Sequence, residues 1–273
     1  MALIVEQEID NDIETLWQRV VKEPVDSDVD VILLRVHHPE CGFARNSYDI
    51  SILGKTIKEW VKLAFDKCSV LELSYTEGDD ILQFIKPYVG HKKYTAVFYA
   101  DTPLFSRKTF LSIIDYVKTK GLNVCKVERG YVFDTEYVVN AQRIFASTTP
   151  GLGDADDFFV ANSMQAINNI SKILRSRIMD YYIRKGVQFL DKERVYIDAD
   201  VAIGDNVVIY PGNVLQGHTE IQDNVVLYPN NQIVDSKIGQ NSTVSYSVVR
   251  NSQISNDSEI GPFSFVDKGK IKK

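Results

Sequence analysis

The chain has 273 residues, of which 44% are hydrophobic and 25% charged, and its formal net charge is −6 at pH 7. The length favours two domains, and the negative charge argues against nucleic acid or an anionic membrane as the main partner. The N-terminus is acidic, unlike a signal peptide, and no apolar run reaches the roughly 20 residues that cross a membrane. The three cysteines are scattered, which suits a reducing compartment, so we predict a cytoplasmic protein.

Strand-like and helix-like segments alternate through the first part of the chain. The predicted strands are VDVILLRV (29–36), SVLELSY (69–75), YTAVFYA (94–100), LNVCKV (122–127) and YVFD (131–134). The predicted helices are KTIKEWVKLAF (55–65), DDILQFIKPYV (79–89), which Pro87 interrupts, and FLSIIDYVKTKG (110–121). This alternation predicts a Rossmann-like α/β domain with a largely parallel sheet and helices on both faces. In such sheets ligands bind beyond the carboxyl ends of the strands, where Asp101 lies.

A polar segment (148–157) separates this domain from a predicted long helix of residues 158–185. Apolar residues recur along that helix with helical spacing, at Val160, Met164, Ile167, Leu174 and Ile178. The sequence Arg184-Lys185-Gly186 is a good C-terminal stop signal. The helix is predicted to carry the chain from the α/β domain to its C-terminal part.

An aliphatic residue recurs every five or six positions through the C-terminal third. The series runs Ile197, Ile203, Ile209, Leu215, Ile221, Leu227, Ile233, Ile238, Val244, Val249, Ile254, Ile260 and Val266. A helix would drift off this period and an ordinary strand alternates by two, so the repeat predicts a left-handed parallel β-helix of about four coils. A Val, Thr, Asn or Ser often lies four positions after the aliphatic residue and is expected to share the interior, and Gly and Asn are expected to occupy corners with positive φ. The flat faces of such coils usually associate, so we expect a homotrimer through the β-helix.

Three motifs and the order of the parts resemble one known family. VFYADTPLF (97–105), ILGK (52–55) and VANSMQ (160–165) are similar to segments of the bacterial bifunctional N-acetylglucosamine-1-phosphate uridyltransferase/glucosamine-1-phosphate acetyltransferase family, and the similarity is greatest between residues 161 and 265. The resemblance implies a nucleotidyltransferase-type α/β domain (1–157), a linker helix (158–186) and a short β-helix (187–273). It implies a transferase related to UDP-N-acetylglucosamine pyrophosphorylase, whose product is a cell-envelope precursor.

The resemblance also implies a magnesium site. In the family Mg²⁺ is held by the Asp of a GDxPL motif and by an Asn of a VNN motif, and Asp101 and Asn162 match these two positions. A carboxylate and an amide oxygen suit a hard cation whose coordination shell is completed by phosphates and water. The residues alone leave two other roles open. Asp101, which precedes Thr102 and Pro103, would hold a turn, and Asn162 would cap the long helix.

Other binding segments of the family have no match here. The family's Gly-rich loop corresponds to residues 33–41, which lack its glycines and carry Glu40 in place of its Arg. The candidates to bind a nucleotide or sugar phosphate instead are Arg35, His37, His38 and Arg45. Residues 76–80 replace the uracil-reading segment, and Glu128 and Arg129 stand in place of an Asn-Thr pair. The catalytic residues stay unknown.

Three functions are compatible with these residues. The first is Mg²⁺-dependent nucleotidyl transfer to a sugar 1-phosphate, which Asp101, Asn162 and the architecture favour. The second is a catalytically inactive homologue that acts as a binding or scaffold module, which the unmatched phosphate loop and Glu40 favour. The third is a hexapeptide acyltransferase, which has little support because the β-helix is short and His218, its sole histidine, is expected to face solvent. Whether the chain is an enzyme stays open.

Overall fold

The computed structural model describes residues 28–36, 46–148 and 151–272. Three of the predicted phosphate-binding residues, His37, His38 and Arg45, lie outside these described residues. The chain divides into two compact units: the first takes in the described residues up to Ser51 together with Thr56–Ile170, and the second takes in Ile52–Lys55 together with the residues from Ser171 onward. The predicted three-part division (1–157, 158–186 and 187–273) stays a prediction.

The first unit is built on a mixed six-stranded sheet in the order β4-β1-β5-β7-β6-β8. The strands of this unit and of the small ribbon β2–β3 are β1 (Val29–Val36), β2 (Ser51–Ile52), β3 (Lys55–Thr56), β4 (Ser69–Tyr75), β5 (Tyr94–Tyr99), β6 (Val124–Val127), β7 (Gly130–Asp134) and β8 (Ser147–Thr148). Strands β4, β1 and β5 are parallel, whereas β7 runs antiparallel to both β5 and β6. Because β8 pairs in parallel with β6, five of the six strands run in one direction, so the expectation of a largely parallel sheet is confirmed and β7 is its one exception. The reason is the tight turn at Glu128 and Arg129, which is too short for a crossover connection and permits only a hairpin.

Helices cover both faces of this sheet, as predicted. They are α1 (Ile57–Leu63), α2 (Ile81–Ile85), α3 (Arg107–Lys120), α4 (Thr135–Asn140) and, running on into the second unit, α5 (Met164–Arg184). Residues Val29, Val31 and Leu33 pack with α1 and α3, and the alternate residues Ile32 and Leu34 pack with α2 and α4. This alternation follows from the two-residue period of a strand whose two faces are both buried.

Helix α5 begins at Met164, six residues later than the sequence predicted. The side chain of Ser163 caps it, since Ser163 Oγ accepts a hydrogen bond from the Ala166 amide at 3.1 Å. Residues 160–162 are not helical, and the Ala161 amide bonds instead to the carbonyl oxygen of Asp101 at 2.7 Å. The cap is thus formed by Ser163, the residue after Asn162.

The second unit contains the predicted β-helix. Its strands are β9 (Gln188–Phe189), β10 (Tyr196–Ile197), β11 (Ala202–Ile203), β12 (Val208–Ile209), β13 (Val214–Gln216), β14 (Glu220–Ile221), β15 (Val226–Leu227), β16 (Gln232–Val234), β17 (Lys237–Ile238), β18 (Thr243–Val244), β19 (Val248–Arg250), β20 (Gln253–Ile254), β21 (Glu259–Ile260), β22 (Phe265–Asp267) and β23 (Lys270–Lys272). From β9 to β19 each strand pairs in parallel with the third strand after it, so three strands make one coil and three sheets make the faces. Strand β23 is the exception, because it returns antiparallel along β22.

The interior of the coil confirms the predicted repeat. The aliphatic series from Ile197 to Val266 is buried except for Ile260, which is partly exposed. The small residues expected to share the interior are buried as well, among them Asn213, Thr219, Val225, Asn231 and Ser242. At the corners Asn206, Asn224 and Asn241 adopt φ of 55°, 58° and 58°, the left-handed conformation that Asn tolerates better than most residues. The sequence did not indicate that Tyr246 and Phe263 also take positive φ at corners.

The tip of the β2–β3 ribbon belongs to the second unit and packs on the first coil. The carbonyl of Leu53 accepts a hydrogen bond from the Ala199 amide at 2.8 Å, and Lys55 Nζ lies 2.6 Å from Asp200 Oδ1. Gly54 has φ +83°, and a Cβ there would lie 3.1 Å from the side chain of Asp198. The ILGK segment therefore serves as a close-packed turn. Within the described residues no helix has the length and apolar character needed to cross a membrane.

Candidate functional site

Asp101 lies at the carboxyl end of β5, as the sequence predicted. Every residue of β5 is buried, and the Ala100 amide continues the ladder by bonding to the Leu34 carbonyl at 2.8 Å. The chain then turns, with Phe105 bonding back to Thr102 at 3.1 Å. The Asp101 side chain is only 1% exposed. A carboxylate this deeply buried needs a compensating positive charge or a set of hydrogen bonds.

Arg129 supplies that positive charge. Arg129 Nη2 donates to Asp101 Oδ2 at 2.6 Å and Nε donates to Asp101 Oδ1 at 3.3 Å, so the guanidinium grips both oxygens of the carboxylate. Arg129 Nη1 donates to Glu77 Oε1 at 2.6 Å. One guanidinium therefore joins two carboxylates, and we call Asp101, Arg129 and Glu77 the charge triad.

Gly130 allows the β6–β7 hairpin to carry Arg129 to this position. A Cβ at Gly130 would lie 2.5 Å from the carbonyl oxygen of Val97 and 2.9 Å from a ring carbon of Phe98. Because only glycine avoids this clash, the hairpin can approach β5 closely, with Gly130 paired opposite Phe98. Arg129 is therefore placed by the sheet itself and by a short turn.

The aromatic ring of Tyr99 fixes the plane of the guanidinium. The Cζ atom of Arg129 lies 4.1 Å from the centroid of that ring, within the range of a cation–π contact. Burial lowers the pKa of Arg129, but the hydrogen bonds to Asp101 and Glu77 outweigh it, and the net pKa is raised. Burial, and next the neighbouring Tyr75, raise the pKa of the Tyr99 hydroxyl, so it too keeps its proton at neutral pH. The triad as a whole carries one net negative charge, which does not attract a phosphate.

Asn162 differs from Asp101 in its surroundings. The hydrogen bond from the Ala161 amide to the Asp101 carbonyl brings the backbone next to Asn162 alongside Asp101, yet the Asn162 side chain is exposed. The two predicted magnesium ligands thus lie in the same part of the first unit, but Asp101 is already bonded to Arg129 on both oxygens. As they stand, these donors do not fit Mg²⁺, because a cation at Asp101 would have to displace the guanidinium. Among residues 28–36, 46–148 and 151–272 no cluster of three or more His, Cys, Asp or Glu side chains suits a metal ion. Metal binding by Asp101 and Asn162 stays a prediction.

Arg35, the fourth predicted phosphate-binding residue, lies near the end of β1 and donates from Nη2 to Ser74 Oγ at 3.1 Å. The cations around it have acidic partners: Lys58 Nζ lies 2.9 Å from Asp49 Oδ1, and Lys62 Nζ lies 2.9 Å from Glu72 Oε1. The hydrogen bond with Asp49 raises the pKa of Lys58, and the hydrogen bond with Lys62 lowers the pKa of Glu72. A phosphate role for Arg35 stays a prediction.

The residues that sequence reasoning missed are Arg129 in its bonded role, Glu77 and Tyr99. From the sequence, Arg129 stood out only as a departure from the family pattern. The available signal was Gly130, because a glycine directly after a two-residue turn indicates that the backbone, and with it Arg129, lies close to the sheet. His218 is exposed, as expected of a corner residue, and its amide bonds to Asp235 Oδ1 at 3.0 Å.

The described residues thus form an α/β unit with a buried Asp at a strand end, a long helix and a hexapeptide β-helix. No protein-family model matches the chain. Curated proteins do: the chain is 40% identical over 115 residues to the Bifunctional protein GlmU of Caldanaerobacter subterraneus subsp. tengcongensis, a match that covers 42% of this chain and 25% of that protein. It is 40% identical over 111 residues to the Bifunctional protein GlmU of Clostridium acetobutylicum (41% and 24% covered), and 34% identical over 134 residues to that of Clostridium beijerinckii (48% and 30% covered).

The chain is therefore similar to the bifunctional GlmU proteins over rather less than half of its own length. The match spans about a quarter of the length of these relatives. Their name alone does not transfer an activity to this chain, since so much of each relative is left unmatched.

Proposed function

We propose that this chain is a catalytically inactive nucleotidyltransferase-like protein that acts as a binding or scaffold module. The observation that carries the proposal is the pair of hydrogen bonds that Arg129 donates to Asp101, from Nη2 to Oδ2 at 2.6 Å and from Nε to Oδ1 at 3.3 Å. Nucleotidyl transfer of the family's kind depends on a metal ion that bridges the phosphates and neutralises charge as the bond to the leaving pyrophosphate breaks. Asp101 is the predicted anchor of that metal, and its carboxylate is already neutralised.

The energetic cost of opening the site supports the proposal. Removing one partner of a buried ion pair typically costs about 3–5 kcal/mol, because the other charge is left uncompensated. The Asp101 side chain is 1% exposed and that of Arg129 is 15% exposed, so this pair belongs to the buried class. A metal ion that displaced Arg129 from Asp101 would therefore bind with an affinity lowered by this free energy.

The β-helix supports the scaffold part of the proposal. Its three faces are flat stacks of short parallel strands, and the buried ladder inside makes it a rigid stem. We propose that three copies of the chain associate through these faces. The α/β units would then be displayed on a common stem, in the cytoplasm, where each would act as a binding module without nucleotidyl transfer.

The test is an assay of pyrophosphate release from UTP, Mg²⁺ and a panel of sugar 1-phosphates, with Asp101→Asn as the matched control. We expect no turnover above the buffer blank for either protein, because the Asp101 carboxylate already holds Arg129. Turnover by the natural protein that Asp101→Asn abolishes would overturn the proposal.

Mg²⁺-dependent nucleotidyl transfer to a sugar 1-phosphate is the second candidate. It is favoured by the position of Asp101 at the end of a buried strand and by the Ala161–Asp101 hydrogen bond of 2.7 Å, which keeps Asn162 nearby. In that case Arg129 would have to move from Asp101 when substrate binds. Titration calorimetry with UTP and Mg²⁺ tests it: a stoichiometric heat that is lost in Asp101→Asn supports this candidate, and a flat titration counts against it. The hexapeptide acyltransferase has no observation in its favour.

A further inference from the structure

We propose that Arg129 is a permanent replacement for a divalent cation at Asp101, and that removing its charge turns Asp101 and Glu77 into a divalent-cation site. This inference rests on the proposed function, because it explains why the Asp101 position is inactive. It adds a feature that the function alone does not require, namely a latent metal site that one side chain keeps closed.

The arrangement of the charge triad is the first argument. The carboxylates of Asp101 and Glu77 address the same guanidinium, at 2.6 Å from Nη2 and 2.6 Å from Nη1. Two carboxylates that share one cation are the usual donor set of a hard metal ion, which takes oxygen ligands almost exclusively. If the guanidinium is removed, the two carboxylates face the volume that it occupied.

Mutual exclusion is the second argument. An arginine side chain cannot lose its proton in a protein, so its positive charge cannot be switched off to admit a metal. A second cation at Asp101 would lie against this fixed charge while the available oxygens stayed bonded to nitrogen. Arg129 and a divalent cation therefore compete for Asp101. Arg129 has the advantage because its positive charge is covalently attached to the chain beside Asp101.

The rigidity of the placement is the third argument. The guanidinium is held by Asp101, by Glu77 and by the Tyr99 ring at 4.1 Å, and its backbone belongs to a hairpin that pairs with β5. That hairpin lies so close to β5 that a Cβ at Gly130 would be 2.5 Å from the Val97 carbonyl oxygen. These contacts make Arg129 part of the sheet edge, so its withdrawal from Asp101 requires the loss of several interactions at once.

Charge neutrality at the buried carboxylate is the fourth argument. With Arg129 in place, Asp101 is compensated without any bound ion. Loss of the Arg129 charge takes positive charge away from a carboxylate that is only 1% exposed, which favours either uptake of a proton or binding of another cation. A metal ion is favoured because Glu77, which is half exposed, can turn toward the same volume and supply a second oxygen.

The test uses Mn²⁺ as the probe and its electron paramagnetic resonance signal as the readout, since the free ion loses its sharp six-line spectrum on binding. We compare the natural protein with Arg129→Met, which keeps the apolar stem over Tyr99 but removes the charge, and with Arg129→Lys, which keeps the charge. We expect no Mn²⁺ binding by the natural protein or by Arg129→Lys. Arg129→Met should bind one ion, with an affinity at least about tenfold above the detection limit that applies to the other two proteins.

Two further variants make each outcome decisive. Arg129→Gln retains a hydrogen-bond donor for Asp101, so it substitutes for Arg129→Met if that variant does not fold. The double variant Arg129→Met/Asp101→Asn should lose the Mn²⁺ site if the inference is correct. Stoichiometric Mn²⁺ binding by the natural protein that Asp101→Asn removes overturns the inference, and so does failure of both Arg129→Met and Arg129→Gln to bind.

The same samples separate this inference from the proposed function. If the natural protein binds Mn²⁺ at Asp101 but releases no pyrophosphate, the inference fails and the inactive module stands. If the natural protein releases pyrophosphate in an Asp101-dependent way, the proposed function itself fails.

Discussion

The carboxylate of Asp101 is buried at the end of an apolar strand, where an uncompensated charge is expensive. In a metal-dependent site that cost is offset by the bound cation and its water shell. Here the compensation comes from Arg129, with a planar fork whose geometry matches a carboxylate. The chemical consequence is that the oxygens of Asp101 are engaged before any ligand arrives.

The first prediction concerns the stability of this ion pair. Asp101→Asn leaves the Arg129 guanidinium without its buried counter-charge, so we expect the free energy of unfolding to fall by about 3–5 kcal/mol. Glu77→Gln is the matched control, because the Glu77 side chain is 51% exposed and its ion pair is expected to contribute no more than about 1 kcal/mol. Urea denaturation of the three proteins measures both differences. Equal effects of the two substitutions would contradict the burial argument.

The second prediction concerns the residue that lets Arg129 reach Asp101. Gly130→Ala would place a Cβ 2.5 Å from the Val97 carbonyl oxygen and should push the hairpin away from β5. We expect a loss of about 1–3 kcal/mol in the free energy of unfolding, from overpacking. Gly78→Ala is the control, since Gly78 also has positive φ, at +106°, but a Cβ there would meet nothing within 4 Å. A larger effect at Gly78 than at Gly130 would show that backbone conformation, rather than the close approach, sets the cost.

At the scale of elements, the helix that links the two units begins with a serine cap. Ser163→Ala removes the acceptor for the Ala166 amide and should cost about 0.5–2 kcal/mol, whereas Asn162→Ala should leave stability nearly unchanged. Thermal unfolding followed by circular dichroism compares the two neighbours directly. A larger loss of stability in Asn162→Ala than in Ser163→Ala would show that Asn162, and not Ser163, caps the helix.

The β-helix depends on a polar ladder inside its coil. Asn231 Nδ2 donates to Asn213 Oδ1 at 2.9 Å, and Asn231 Oδ1 accepts from the Ser247 amide at 2.9 Å. Asn231→Ala leaves buried polar groups of two neighbouring coils without partners, at a cost of about 1–3 kcal/mol for each such group. Asn224→Gly is the control: it removes an exposed corner side chain while keeping φ of 58° accessible. Chemical denaturation should show a clear loss for the first variant and a small one for the second.

At the scale of the whole molecule, the short stem is expected to associate. In a single copy of the chain, the outer faces of the stacked parallel strands bury little surface. Repeat proteins of this kind protect such faces and edges by contact with other chains or by capping. The β22–β23 hairpin covers the last strand of one of the three sheets. We expect light scattering to give the mass of three chains at micromolar concentration. A monomer would contradict the trimer and weaken the scaffold proposal.

Much of this architecture was predictable because its signals are local. The six-residue period, the positions of buried aliphatic residues and the Asn corners follow from coil geometry, which each repeat expresses within its own few residues. Strand β4 was predicted with the bounds that it has, Ser69–Tyr75. The predicted start of α5 was wrong because the Ala161 amide bonds to Asp101, a residue distant in the chain. A helical pattern in the sequence does not reveal such a bond. The antiparallel hairpin was missed because Glu128-Arg129 lacks the Asn-Gly or Asp-Gly signal of a tight turn.

The amino-acid sequence by itself determined the β-helix, the order of strands and helices in the α/β unit, and the place of Asp101 at the end of a buried strand. Those features depend on periodicity and on neighbouring residues. The tertiary structure alone decided what Asp101 bonds to, since Arg129 lies 28 residues away from it and 52 residues away from Glu77. Charges so far apart in the chain meet only when a sheet brings their strands together, and that meeting places an arginine where the family resemblance predicts a metal ion.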